Sequence, residues 1–253
     1  MYFNANDITI YYEKYGQNEK EIVILPGWGN TKKTWYPIIE LLKENFTVYI
    51  LDYPGFGESP FPERDLTIYD YADCIYEWIK ELNLKDPTLI GHSFGGRIIT
   101  TLTGYYQYSF SNIILISSAG IRKKQTITSK LRNLSYKLGK KLAKILPQKR
   151  KKQYLNWLFS LYASEDYKAL PEYMRQTFKN IIHEDLTPYL KNISSKCLLI
   201  WGNQDTSTPI WQGRIMHEKI PDSEFIELDK IGHFPYLEKT YLIYAILLEQ
   251  LKN

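Results

Sequence analysis

The sequence predicts an α/β protein: a mostly parallel central sheet with helices on both faces and a helical cap inserted late in the chain. Short apolar runs recur along it, each closing on a Gly, Pro, Ser or Asp turn. Segments of helical pattern separate them, and that alternation is what βαβ units require. The alternation stops after Ala119-Gly120 and resumes at Lys196. The core is therefore expected over 1–120 and 191–253, and the cap over 121–190.

The first element, "DITIYYEKYG", alternates as an edge strand does and is expected to pair antiparallel. "EIVILPG" (21–27), "FTVYILDYPG" (46–55), "PTLIGHS" (87–93), "NIILISS" (112–118), "KCLLIWG" (196–202) and "EFIELD" (224–229) are near-continuous apolar runs. Such runs suit strands covered on both faces. Residues 67–84 place apolar side chains at 68, 71, 72, 75, 78, 79 and 82, a helical stripe that stops near Asn83. Within 121–190 no run reads as a strand. There Ile127, Leu131, Leu134, Leu138, Leu142 and Ile145 recur at three- and four-residue spacing, which predicts a helical cap inserted into the α/β core.

At 253 residues, 44% hydrophobic and 24% charged, the chain has the composition of an ordinary globular protein. No apolar run approaches the roughly 18 residues that cross a bilayer. The first residues lack a basic segment followed by an apolar one, so a cytoplasmic protein is expected. Cys74 and Cys197 offer neither a disulfide framework nor zinc spacing, and four histidines form no cluster. No metal and no cofactor are expected.

The candidate chemistry starts at Gly91-His92-Ser93-Phe94-Gly95. This is a G-x-S-x-G turn with a strand before it and a helix after it, the context a nucleophile elbow needs. The other reading of the pentapeptide alone is a tight turn that happens to contain serine. A serine nucleophile needs a base, and the base an orienting carboxylate. Asp205 follows one strand and His233 the next, so both sit where the ends of parallel strands converge. The order Ser93, Asp205, His233 is the one this architecture imposes. The backbone N–H of Phe94 would face a developing oxyanion, and that of Trp28, in "LPGWGN", is the candidate second donor. His92 reads as packing of the elbow, Asp52 as a residue that fixes a turn, and His183 and His217 as surface or satisfied core groups.

These motifs, with "LDYPGFGESP" and "GHFPYLE", resemble those of the α/β-hydrolase superfamily. The likeness is to its capped, cofactor-independent serine esterase branch, and it runs from residue 25 to residue 238. It implies a Ser-His-Asp hydrolase with Ser93, His233 and Asp205 in those roles and a small-molecule ester as substrate. Serine at 93 sets the chain apart from relatives with an aspartate nucleophile. One departure is Pro26-Gly27 where many relatives have His-Gly, which leaves open what supports the oxyanion loop. Hydrolysis of a C–C bond or thioester and perhydrolysis by the same triad stay open, as does a non-enzymatic ligand sensor built on the same core.

Charge is uneven. Residues 122–164 hold thirteen Lys or Arg and no Asp or Glu, leaving 19 basic against 28 acidic side chains elsewhere. Solvated surface lysines, an acidic acyl carrier or an anionic membrane surface would each suit such a segment. Pimeloyl-carrier-protein methyl ester esterases resemble the chain here, in a basic cap and a Trp-containing oxyanion loop. Nucleic acid is not expected, since no recognition module accompanies the charge.

Overall fold

In the computed structural model, which describes residues 1–122, 127–163, 167–168 and 170–252, eight strands form one sheet. They are β1 (Tyr2–Ala5), β2 (Ile8–Tyr15), β3 (Glu21–Leu25), β4 (Thr47–Asp52), β5 (Thr88–His92), β6 (Asn112–Ile116), β7 (Lys196–Gly202) and β8 (Ser223–Leu228). Across the sheet the order is β1-β2-β4-β3-β5-β6-β7-β8. Every pairing from β4 to β8 is parallel, whereas β2 runs antiparallel to β4 and β1 antiparallel to β2.

The helices, in chain order, are α1 (Tyr36–Leu42), α2 (Ile68–Glu81), α3 (Phe94–Thr100), α4 (Ile127–Leu142), α5 (Gln148–Tyr162), α6 (Arg175–His183), α7 (Trp211–Lys219) and α8 (Thr240–Lys252). Successive strand residues face opposite ways. Ile22 and Ile24 of β3 therefore meet Ile38 and Leu42 of α1 and Leu247 of α8. Val23 and Leu25 join the other core, with Trp78 of α2 and Ile98 of α3. This two-sided burial explains why the central strands read as unbroken apolar runs. α2 starts at a capping box, in which Thr67 accepts from the Asp70 N–H while Asp70 accepts from the Thr67 N–H. Asn83 ends the helical stripe in the left-handed region, at φ 51°.

Two local differences from the sequence reading have simple causes. β1 is an added edge strand, joined to β2 by a hairpin whose Asn6 and Asp7 both take positive φ. Short polar side chains tolerate that conformation, as a tight hairpin requires. The runs read as 21–27, 46–55 and 112–118 end earlier, at Leu25, Asp52 and Ile116, because the residues that follow leave the ladder to form loops.

The chain divides into two compact units. The first is Met1–Arg122 with the chain from Asn180 onward; the second comprises the described part of Lys123–Lys179. Residues 180–190, placed in the insert by the sequence reading, cluster with the first unit. Described residues of the second unit are helical or irregular, and none is a strand.

Chain order puts β4 on one side of β3 and β5 on the other. The loops after β3 and β5 thus diverge at a crevice at the strands' carboxyl ends, where sites of open α/β sheets form. The loop after β3 is held by Lys32, which is 1% exposed. Its N–H donates to Asp52 Oδ1 (2.8 Å), and its Nζ donates to Asp52 Oδ2 (3.0 Å) and Glu58 Oε1 (2.6 Å). The Glu58 N–H donates to the same Asp52 carboxylate. Burial disfavours the Lys32 ammonium, but hydrogen bonds to Glu58 and Asp52 outweigh it and hold the group above the usual lysine range.

Lys32→Met would leave Asp52 buried and uncompensated, so a loss of about 3–5 kcal/mol in urea unfolding is expected. Combining it with Asp52→Asn should restore part of that stability. A single-variant loss below about 1 kcal/mol would mean that the cluster behaves as a solvent-screened surface pair.

Candidate active site

The elbow is built by exclusion of side chains. At Gly95 an added Cβ would lie 1.9 Å from the Leu25 carbonyl oxygen, and at Gly91 it would lie 2.6 Å from the Gly96 nitrogen. Neither contact can be relieved by rotating a side chain, so β3, β5 and α3 approach this closely only with glycine at both positions. Ser93 itself stands at φ 50°, ψ −105°, a conformation costly for any residue with a Cβ. Its N–H donates to the Ile116 carbonyl (3.1 Å), and its own carbonyl accepts from the Ala119 N–H (2.9 Å). Backbone bonds to the end of β6 and the loop beyond it thus hold the strained turn.

Asp205 and His233 come together on the loops after β7 and β8. His233 Nδ1 lies 2.8 Å from Asp205 Oδ2. Asp205 is 4% exposed, yet it is well satisfied. Its Oδ1 accepts the N–H groups of Ser207 and Thr208, each at 2.9 Å, and the Thr208 hydroxyl lies 2.8 Å from Oδ2. Burial pushes its pKa upward, but the His233 contact and the Thr208 bonds outweigh that and hold it below the usual carboxylate range. Asp205 is thus an ionised acceptor for His233 Nδ1–H, which leaves Nε2 as the ring nitrogen outside that bond. Among the described residues no hydrogen bond joins the Ser93 hydroxyl to His233; in unliganded sites such contacts are commonly long.

His92 does more than pack the elbow. It is fully buried, and its Nε2 lies 2.7 Å from the His233 carbonyl oxygen. A carbonyl only accepts, so Nε2 carries the proton. Nδ1 is then the bare nitrogen, and it faces Gly27, where an added Cβ would come within 2.7 Å of it. Burial, reinforced by the nearby His233, pushes the His92 pKa down to about 3. A neutral His92 therefore anchors the backbone of His233 and braces the loop after β3.

The Phe94 N–H opens α3, so no acceptor within the helix is available to it. The Trp28 and Phe94 rings meet edge-on at 5.2 Å, and Phe56 packs on Trp28 at 5.0 Å. The three rings form one aromatic cluster beside the elbow. The loop bearing Trp28 has no histidine at 26; the Lys32–Asp52 cluster and His92 support it instead. Elsewhere, His217 pairs with Ser223 on the surface (3.0 Å), and His183 is exposed. Both cysteines are buried and free. Burial raises the Cys74 thiol to about 12 and lifts Cys197 as well, so neither is a ready nucleophile.

Sequence reasoning passed over Lys32 and Thr208. Nothing distinguishes Lys32 from its neighbour Lys33 in "NTKKTW". Thr208 did carry a signal: it stands three residues after Asp205, where Asp side chains accept backbone N–H groups in turns.

The family model for the alpha/beta hydrolase fold matches residues 20–163, more than half of the chain, and the protein belongs to that family of hydrolases. It is 26% identical to a Bacillus subtilis protein named uncharacterized hydrolase YugF, over 95% of this chain and 93% of the relative. It is 25% identical to a pimeloyl-[acyl-carrier protein] methyl ester esterase of Legionella pneumophila, over 97% of this chain and all of the relative. Among solved structures, the esterase EaEST from Exiguobacterium antarcticum superposes with a TM-score of 0.77 at 24% identity, covering 100% of this chain and 99% of that one. The last likeness is one of fold.

The buried groups set a direction for pH dependence. An unfolded histidine takes up a proton below about 6.5, whereas His92 stays neutral to about 3. Between these values the unfolded state binds more protons, so stability falls as pH drops. The contribution of Asp205 is lost in addition as pH falls through the carboxylate range. Between pH 7 and pH 5 His92 should account for a loss of about 2 kcal/mol. Urea midpoints of the wild type against His92→Gln measure it, and equal pH slopes would mean that His92 is protonated in the folded protein.

Proposed function

We propose that the protein is a serine hydrolase of carboxylic esters. Ser93 is the nucleophile, His233 the general base and acid, and Asp205 the residue that orients and charges the base. The observation that carries this reading is the closed Asp205–His233 pair, with Asp205 fully satisfied, on the same sheet edge as a strained serine. A structural ion pair would not need an exposed-φ serine turn beside it.

His233 Nε2 takes the Ser93 proton as Oγ attacks the ester carbonyl carbon. The backbone N–H groups of Phe94 and Trp28 receive the oxyanion of the tetrahedral intermediate. His233 then protonates the leaving alcohol, and an acyl-enzyme remains. Water, deprotonated by the same imidazole, attacks the acyl carbon and releases the acid, returning the proton to Ser93. The steps call for no cofactor.

That relatives bear the name methyl ester esterase supports the ester class. The carrier in that name and the basic segment 122–164 together support an anionic source for the substrate, a carrier or a surface.

A p-nitrophenyl ester series from acetate to long acyl chains tests the proposal. Wild-type turnover should fall at least about 1,000-fold in Ser93→Ala. Turnover that survives in Ser93→Ala sinks the reading. If neither protein acts on the series, covalent labelling of Ser93 by a fluorophosphonate separates an intact nucleophile with another acyl substrate from a serine that is not activated at all.

A further inference from the structure

The unit Lys123–Lys179 carries a surface that the chemistry above does not use. On α4 the side chains of Leu131, Leu134, Leu138 and Leu142, followed by Ile145, recur every three or four residues and share one face. These five side chains are between 52% and 79% exposed; the side chain of Ile127, which the spacing adds to the row, lies outside the described residues. α4 meets α5 through a different face: Gly139 and Ala143 are buried, and a Cβ at Gly139 would touch Leu158 at 3.0 Å. Lys137, Lys141 and Lys144, all exposed, border the leucine row at helical spacing. α5 adds exposed Trp157 and Leu161, one turn apart.

We propose that this face docks on an anionic lipid bilayer. Five neighbouring aliphatic side chains left in water are unfavourable enough to call for an occupant. The charge says which. A second copy of the chain, packed about a two-fold axis, would set thirteen-fold positive segments against each other. An acidic protein would answer the lysines but does not call for a continuous leucine row. An anionic membrane answers both, because the row enters the acyl boundary while flanking lysines meet headgroup phosphates. Among the described residues no helix is long and apolar enough to cross the membrane, so the contact is interfacial. It stands whether or not the esterase reading does.

Flotation of the full-length protein with lipid vesicles tests it. The expectation is binding to phosphatidylcholine vesicles containing about one third phosphatidylglycerol, and none to phosphatidylcholine alone. Combining Leu131→Ser, Leu134→Ser and Leu138→Ser should lower partition on the order of ten-fold or more while leaving hydrolysis of a short soluble ester, and the thermal midpoint, unchanged. Lys137→Gln with Lys141→Gln should lower it on the order of ten-fold, and added salt should mimic that loss. No binding to anionic vesicles overturns the proposal. So does binding indifferent to the leucine substitutions, which would be charge attraction alone. A wild-type dimer that the leucine substitutions dissociate would assign the face to a second copy. Binding of a purified acyl carrier protein that the serine variants abolish, with no vesicle binding, would assign it to an acidic protein.

Discussion

The site depends on how closely one helix can approach two strands. Where β5 turns into α3, the Gly95 α-carbon stands against the Leu25 carbonyl and Gly91 against the Gly96 backbone. No side chain can enter either space. That contact fixes where Ser93 stands, at a φ that its own Cβ resists. The strain is held by the Ile116 carbonyl and the Ala119 N–H, so the end of β6 is as much part of the elbow as the glycines are. Removing that support would let the serine relax into an ordinary turn and withdraw from the crevice.

Around this steric point the protein holds buried polar groups in three different ways. Lys32 and Asp52 neutralise each other beneath the loop after β3. Asp205 is charged and encircled by donors. His92 stays neutral because burial, with His233 close by, disfavours a charge there and outweighs the opposing pull of its Nε2–H bond to the His233 carbonyl. His92 and His233 are therefore distinct in kind. One is kept out of the titrating range by burial; the other is 15% exposed at its side chain and paired with a carboxylate. Two imidazoles with ring centres 4.7 Å apart can differ in role because only one has an ionised partner.

The second unit follows a different logic. Its helix pair sets Gly139 of α4 against the buried Leu158 of α5, whereas the leucine row of α4 points into solvent. Stability of the helix pair cannot account for that choice of residues, since the leucines are not what joins α4 to α5. The row and the lysines beside it belong to whatever the surface meets.

By itself the sequence determined the sheet and its two-sided burial, and it singled out Ser93, Asp205 and His233 as candidates. Each rests on local signals: apolar runs of strand length, a glycine-framed serine, and polar residues just past strand ends. It also showed the charge asymmetry, which is a matter of composition. Only the tertiary structure decided that Lys32 is buried and Lys33 is not, that Thr208 secures Asp205, and that His92 holds the backbone of His233, 141 positions away. It also showed the leucine row of α4 to be exposed. Periodicity tells which side chains share a face, but whether that face meets protein or solvent depends on what the rest of the chain brings against it. The residues that do so lie far away in sequence and leave no periodic trace.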